Sequence, residues 1–178
     1  MEEDLVLLVN ERDEPVGTMG KLRAHQEGLL HRAFSVFLFD DAGRLLLQRR
    51  AASKYHSPGL WTNTCCSHPR PNEAVADAAR RRLMEEMGID TSVEHRFSFL
   101  YRADFDNGLI EHELDHVLFG RWNGDARPNP EEVDAWTYIH PDELDAELSR
   151  HPERYTAWLR ICWEQVREAL RESAPTTN

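Results

Sequence analysis

The stretch Glu73-Ala-Val-Ala-Asp-Ala-Ala-Arg-Arg-Arg-Leu-Met-Glu-Glu-Met-Gly88 decides how the rest of the chain is read. Asn72, just before it, is a good N-cap; Glu73 and Asp77 favour the N-terminal end of a helix, and Gly88 stops it. Val75, Ala79, Leu83 and Met87 recur at a spacing of four, the buried stripe of an amphipathic helix. Glu85 and Glu86 then fall in the last turn, where the helix dipole disfavours negative charge. A cation should therefore lie close by. Arg82, four residues before Glu86, offers a simple salt bridge. A divalent metal ion is the sharper alternative.

Outward from this helix, short apolar runs read as strands. Leu5–Val9 is one, and Ala33–Phe39 and Leu45–Gln48 are two more, joined by an Asp-Ala-Gly turn at 41–43 that signals a hairpin. Leu60–Cys66, Phe97–Arg102, Leu114–Trp122 and Ala135–Ile139 complete the set. A short helix begins near Pro141. A long one follows Pro152, with Tyr155, Trp158, Leu159, Cys162, Val166 and Leu170 on one side. Strands first, one helix inserted and helices at the end imply an α/β fold, an α/β/α sandwich. A chain of 178 residues suits one domain, taken as residues 1–172 with a polar tail at 173–178.

The formal net charge of −11 argues against nonspecific binding to nucleic acid or to an anionic membrane. No apolar run approaches the ~18 residues of a membrane helix. Leu5–Val9 is too short for a signal peptide, so a cytoplasmic location is expected. Three cysteines, with Cys65 and Cys66 adjacent, fit a reducing compartment. An anionic ligand would need locally concentrated cations. Of 21 basic residues only two are lysines, Lys21 and Lys54, which makes their positions worth following even though random surface placement is the plain alternative.

Three further segments carry chemistry: Trp61-Thr-Asn-Thr-Cys-Cys-Ser-His-Pro69, Glu111-His-Glu-Leu-Asp115, and Lys21-x-x-x-His25 followed by His31. Together they offer His25, His31, His68, Glu111 and Glu113. Three imidazoles and two carboxylates suit Mn²⁺, Zn²⁺ or Mg²⁺. A spacing of two puts Glu111 and Glu113 on one face of a strand, with His112 on the other. A single histidine is more often a surface or core residue than a ligand, so the joint placement is what counts. Cysteines, too, mostly pack. In an extended segment Cys65 faces away from Cys66 toward the core, and Cys162 lies on the apolar stripe of the last helix.

Glu73, Arg81, Leu83, Glu85, Glu86, Gly88 and Ile89 match the spacing of the Nudix box, whose acidic residues hold Mg²⁺ against a diphosphate. Two positions depart from it. Ser67 stands where the box opens with Gly, and Arg82 replaces the Glu central to phosphoanhydride hydrolysis. The whole chain, from about Leu5 to Trp163, resembles the type 1 isopentenyl-diphosphate isomerases, a branch of that superfamily. The resemblance is carried by Gly17-Thr-x-x-Lys-x-x-x-His25, His31-x-Ala-Phe-Ser35, Gln48-Arg-Arg50, Ser53-Lys54 and Pro58-Gly-x-Trp-Thr-Asn63. Cys66-Ser-His-Pro69, Glu86-x-Gly88, Tyr101-Arg-Ala103 and Glu111-x-Glu113 complete it. Some members have Ser after the cysteine, as here.

That resemblance implies a Nudix-type α/β/α sandwich with a mixed β-sheet. It implies conversion of isopentenyl diphosphate, a small isoprenoid diphosphate, to dimethylallyl diphosphate. Glu113 with Tyr101 would supply a proton, and Cys66, as thiolate, would remove one. Lys21, Arg50, Lys54 and Arg82 would bind the diphosphate, and Trp158 would face the isoprenoid tail. Glu86 and the backbone carbonyl of Cys66 would hold a substrate-bridging Mg²⁺, beside the His25, His31, His68, Glu111 and Glu113 site. Two other classes compete. A Nudix hydrolase of other diphosphates sits badly with Arg82 and leaves Cys66 unexplained. A metal-binding interaction domain without catalysis leaves Lys21, Arg50 and Lys54 without a task.

Overall fold

The computed structural model describes residues 4–173. In chain order the elements are β1 (Leu5–Val9), β2 (Pro15–Gly20), α1 (Lys21–Glu27), β3 (His31–Phe39), β4 (Leu45–Arg50), β5 (Trp61–Thr62) and β6 (Cys65–Ser67). Then follow α2 (Val75–Met87), β7 (Val93–Asp104), β8 (Ile110–Arg121), β9 (Val133–Ile139), α3 (Pro141–Arg150), one 3₁₀ turn at Pro152–Arg154 and α4 (Ala157–Ser173).

Alternation along β3 explains the layering. Phe34, Val36 and Leu38 turn to one face and pack with Ala79, Leu83 and Met87 of α2. Phe37 turns to the other, against Leu159, Cys162 and Val166 of α4 and Leu144 of α3. The sheet between these cores is mixed. β3 and β8 run parallel from His31↔Glu113 to Phe39↔Arg121, and β7 pairs β8 antiparallel. The α/β/α sandwich expected from the order of elements is therefore the one observed.

Local expectations fare unevenly. The hairpin of β3 and β4 reduces to a single pair, Phe39↔Leu45. The turn between them forms, with the Asp40 carboxylate accepting the N–H groups of Ala42 and Arg44. The strands part because β8 and β6 occupy β3, while β9 and β5 occupy β4. Leu60–Cys66 is two strands rather than one. It leaves β4 after Thr62 and joins β3 at Cys65, and Asn63 bridges the break by donating to the carbonyls of Val36 and Cys65.

Asn72 does not cap α2. It takes a left-handed conformation in the preceding turn (φ 65°), which Asn tolerates well, and the cap is Ala74, without a side-chain bond. Gly88 ends the helix as expected, at φ 65°, where a Cβ would lie 2.5 Å from the carbonyl oxygen of Arg127. The tail expected from residue 173 lies, beyond Ser173 itself, outside the described residues. Among the described residues no helix is long and apolar enough to cross a membrane.

Candidate active site

The parallel register of β3 and β8 sets His31 beside Glu113, and the antiparallel register of β7 and β8 sets Tyr101 opposite Glu113 and Ala103 opposite Glu111. Glu111 and Glu113 point the same way, as their spacing requires. The Tyr101 hydroxyl lies between the two carboxylates, in contact with Glu111 and 3.0 Å from Glu113, and its single proton can go to either. His112 points elsewhere, with Nδ1 3.2 Å from the carbonyl of Gly28.

Helix α1 carries Lys21 and His25 one turn apart, so both reach the same side. His25 Nδ1 lies 2.7 Å from the Lys21 carbonyl, and His31 Nδ1 lies 2.9 Å from that of Leu29. A carbonyl can only accept, so both rings carry their proton on Nδ1 and turn the Nε2 lone pair inward. His68, following β6, brings its Nε2 to 3.1 Å from Glu113 Oε1 and 3.2 Å from His31 Nε2. His25 Nε2 lies 3.9 Å from the same Glu113 oxygen and has no hydrogen-bond partner. The ligand atoms of His25, His31, His68 and Glu113 all lie within 4.8 Å of one another. Buried lone pairs converging on one point, with an orphaned nitrogen among them, are what a divalent metal requires. The residues fit the group, and this His/Glu cluster can hold a divalent cation.

Charge inside the cluster follows from burial and neighbours. Burial alone would push Glu113 up; with a proton on Nε2 as well, the imidazoles of His25, His31 and His68 would donate to it, outweigh burial and hold its carboxyl well below the usual range. Glu111 goes the other way, raised by burial and by the Glu113 charge.

A cavity of about 470 Å³, counting its open mouth, lies over this cluster. Lys21, Arg50, Lys54, Cys66, His68, Arg82, Glu86, Tyr101, Glu111, Glu113 and Trp158 all line it, so nearly every residue singled out in the sequence meets at one place. His25 and His31 stand fully buried behind it. The cations are close enough to disturb one another. Burial, then Lys54, Arg82 and Arg50, lower the Lys21 pKa. Arg50 and Arg82 each keep a buried Nε–H without a hydrogen-bond partner. Such a concentration of positive charge in a chain of net charge −11 is suited to an anion. Lys54 is occupied by Glu132, at 2.5 Å.

Cys66 and Cys65 face opposite sides of β6. Cys66 sulfur lies 3.1 Å from Asn63 Oδ1 and 3.6 Å from Ser35 Oγ, and it accepts the indole N–H of Trp158. Burial, reinforced by the Asp115 carboxylate, pushes the Cys66 thiol up, so the surroundings favour thiol where a thiolate was expected. Cys65 is buried in the core as expected, yet it is more than packing, because its thiol donates to Glu86 at 2.8 Å. Arg82 lies 3.6 Å from Glu86, the foreseen salt bridge, and also pairs with Glu85 at 2.6 Å.

Three residues of the site were given no role by the sequence. Asp115 is a third buried carboxylate on the same face of β8 and accepts from Ser35 at 2.8 Å. Its two-residue spacing from Glu113 was the available signal. Ser35 is the second. His56, in the loop before β5, is the third, and nothing in its local sequence points to the site.

The match to the NUDIX domain family spans residues 29–159. "Isopentenyl-diphosphate Delta-isomerase 2" of Aromatoleum aromaticum is 58% identical over 92% of this chain and 87% of its own length. "Isopentenyl-diphosphate Delta-isomerase" of Burkholderia multivorans is 52% identical over 93% and 94%. Among solved structures, a Deinococcus radiodurans protein superposes with a TM-score of 0.76 at 24% identity, covering 90% of this chain and 98% of its own. A MutT Nudix hydrolase of Burkholderia pseudomallei gives 0.61 at 24% identity, over 77% and 98%; these two likenesses speak for the fold alone. On the span of the domain match and on identity sustained along nearly its whole length, the chain belongs to the isopentenyl-diphosphate Delta-isomerase family of the Nudix superfamily.

Proposed function

We propose that this enzyme interconverts isopentenyl and dimethylallyl diphosphate, with Cys66 and Glu113 as the groups that exchange protons with the substrate. Moving an unactivated double bond requires a proton at one carbon and the loss of one at another, through a tertiary cation or something close to it. The observation that carries the reading is that the Cys66 thiol and the Glu113 carboxylate border one cavity that Lys21, Arg50, Lys54 and Arg82 also line.

Because the interconversion is reversible, each group is acid in one direction and base in the other. Tyr101, donating to Glu113 at 3.0 Å, orients that carboxyl and can pass it a proton. Asn63 and Trp158 fix the Cys66 sulfur. Lys21, Arg50, Lys54 and Arg82 anchor the diphosphate, and the Trp158 ring, buried against Cys66, keeps water from the reacting carbons.

His25, His31, His68, Glu111 and Glu113 would hold one divalent ion, Mn²⁺, Zn²⁺ or Mg²⁺, while Glu86 and the Cys66 carbonyl would hold a Mg²⁺ shared with the diphosphate. When bound, these ions supply positive charge that tunes the acidity of Glu113 and neutralises the phosphates. Three free thiols suit a cytoplasmic setting.

Arg82, standing where a hydrolase carries its Glu, supports isomerisation over hydrolysis. Incubation with isopentenyl diphosphate and Mg²⁺ tests this: the dimethylallyl isomer should accumulate without phosphate release. Phosphate without the isomer would replace this reading with a hydrolase.

A further inference from the structure

His56 is the one imidazole at the cavity that neither the sequence nor the family resemblance assigns a task. It is well buried, only 8% exposed, although it belongs to the loop between β4 and β5. Its ring is held on two sides, stacked on Phe105 (centroids 5.6 Å apart, 23° between planes) and edge-on to Trp158 at 6.0 Å. That leaves Nδ1 facing inward.

This nitrogen lies 3.3 Å from Glu111 Oε1, yet it is not aligned for a hydrogen bond and has no other partner. The same holds for the buried Nε2 of His25. Two orphaned imidazole nitrogens and a carboxylate oxygen, all within 4.8 Å of one another, converge on a common point instead of on each other. The other Glu111 oxygen is taken by Tyr101, so Oε1 is the one left for that point.

We infer that His56 is a fourth imidazole ligand of the metal centre, binding through Nδ1 beside His25 and Glu111 on the side away from His31 and His68. This rests on the metal centre proposed above. His25 belongs to both groups of donors, and its single inward lone pair reaches one ion. One ion shared by both groups therefore explains both orphaned nitrogens. With bonds of about 2.1 Å, opposite ligands stand about 4.2 Å apart; the donors of each group lie within 4.8 Å of one another, and the two groups meet at His25. Four nitrogens and two carboxylates make a shell for a transition ion such as Zn²⁺, Mn²⁺ or Co²⁺, and a poor one for Mg²⁺, which favours oxygen.

The test is metal binding by the full chain, read by Zn²⁺ competition with a chelator and by the visible spectrum of bound Co²⁺. The wild type should bind tightly. His56→Leu and His56→Gln should weaken Zn²⁺ by about 10- to 100-fold, the scale on which changes around metal sites act, and should alter the Co²⁺ spectrum through loss of a nitrogen donor. Mg²⁺ affinity should not move. Should His56→Leu fail to fold, His56→Gln carries the comparison alone.

Wild-type affinity and spectrum in the His56 variants, with metal lost from His25→Ala, would overturn the assignment and leave the centre standing. Weakened affinity with an unchanged spectrum would also overturn it, because His56 would then act only by positioning Glu111. No metal bound by the wild type, and no difference in His25→Ala, would remove the centre and the inference with it.

Discussion

The indole N–H of Trp158 on α4 donates to the sulfur of Cys66 on β6, at 2.9 Å. The apolar stripe of α4 delivers the ring there, and the Arg50 guanidinium lies 5.3 Å above its centroid. The tryptophan thus joins the proposed acid–base cysteine to the anion site. A donor aimed at sulfur favours thiolate, against the burial that favours thiol.

Trp158→Phe keeps a ring and removes that donor. Losing a hydrogen bond to a charged group costs about 1.5–3 kcal/mol, so kcat should fall roughly 10- to 150-fold with a smaller change in KM. Steady-state kinetics on the folded variant decides; a normal kcat would show that the ring only packs.

The two neighbouring cysteines should separate cleanly. Cys66→Ser should keep the fold and lose about 10²- to 10⁴-fold in turnover, the range for a positioned acid–base group. Cys65→Ser retains a donor for Glu86 and should cost little. Cys65→Ala leaves Glu86 short of its 2.8 Å partner and should raise the Mg²⁺ concentration needed for half-maximal rate by about 5- to 10-fold. Full activity in Cys66→Ser would reverse the roles of the pair.

In the anion site, Lys21→Ala, Arg50→Ala and Lys54→Ala should each weaken substrate binding by roughly 10- to 150-fold. Glu132 holds Lys54 at 2.5 Å, and a diphosphate must compete with it. Glu132→Gln removes that competitor and should lower KM a few-fold. Substrate affinity unchanged in all three cationic variants would return the lysines to ordinary surface residues.

His31→Ala and His68→Ala should each release a metal that the wild type retains through gel filtration. Elemental analysis checks this, with melting temperature as the control for folding. Full retention in both would mean that the buried nitrogens around Glu113 serve the fold alone.

How far all this could be read in advance depended on where each signal lies in the chain. α2 and α4 announced themselves because their buried residues recur near every fourth position, and β3 because it is a continuous apolar run buried on both faces. β2 and α1 did not. Pro15–Gly20 contains two glycines and a proline, and a seven-residue helix ends before a stripe can repeat. The partners of β3 were illegible because β8 arrives some eighty residues later, and a turn at 41–43 suggested a nearer one. The site divides similarly. Glu111 and Glu113 could be paired from their spacing, and Lys21 with His25 from theirs. His56 could not be placed, because only the fold brings residue 56 against residue 111.

The central claim is proton exchange at carbon without cleavage of the diphosphate. Turnover of isopentenyl diphosphate in D₂O, followed by NMR, tests it most directly. Dimethylallyl diphosphate carrying deuterium in a methyl group, with both phosphates in place and the signal absent in Cys66→Ser and Glu113→Gln, is the predicted result. Unlabelled, unrearranged alkene accompanied by free phosphate would contradict it.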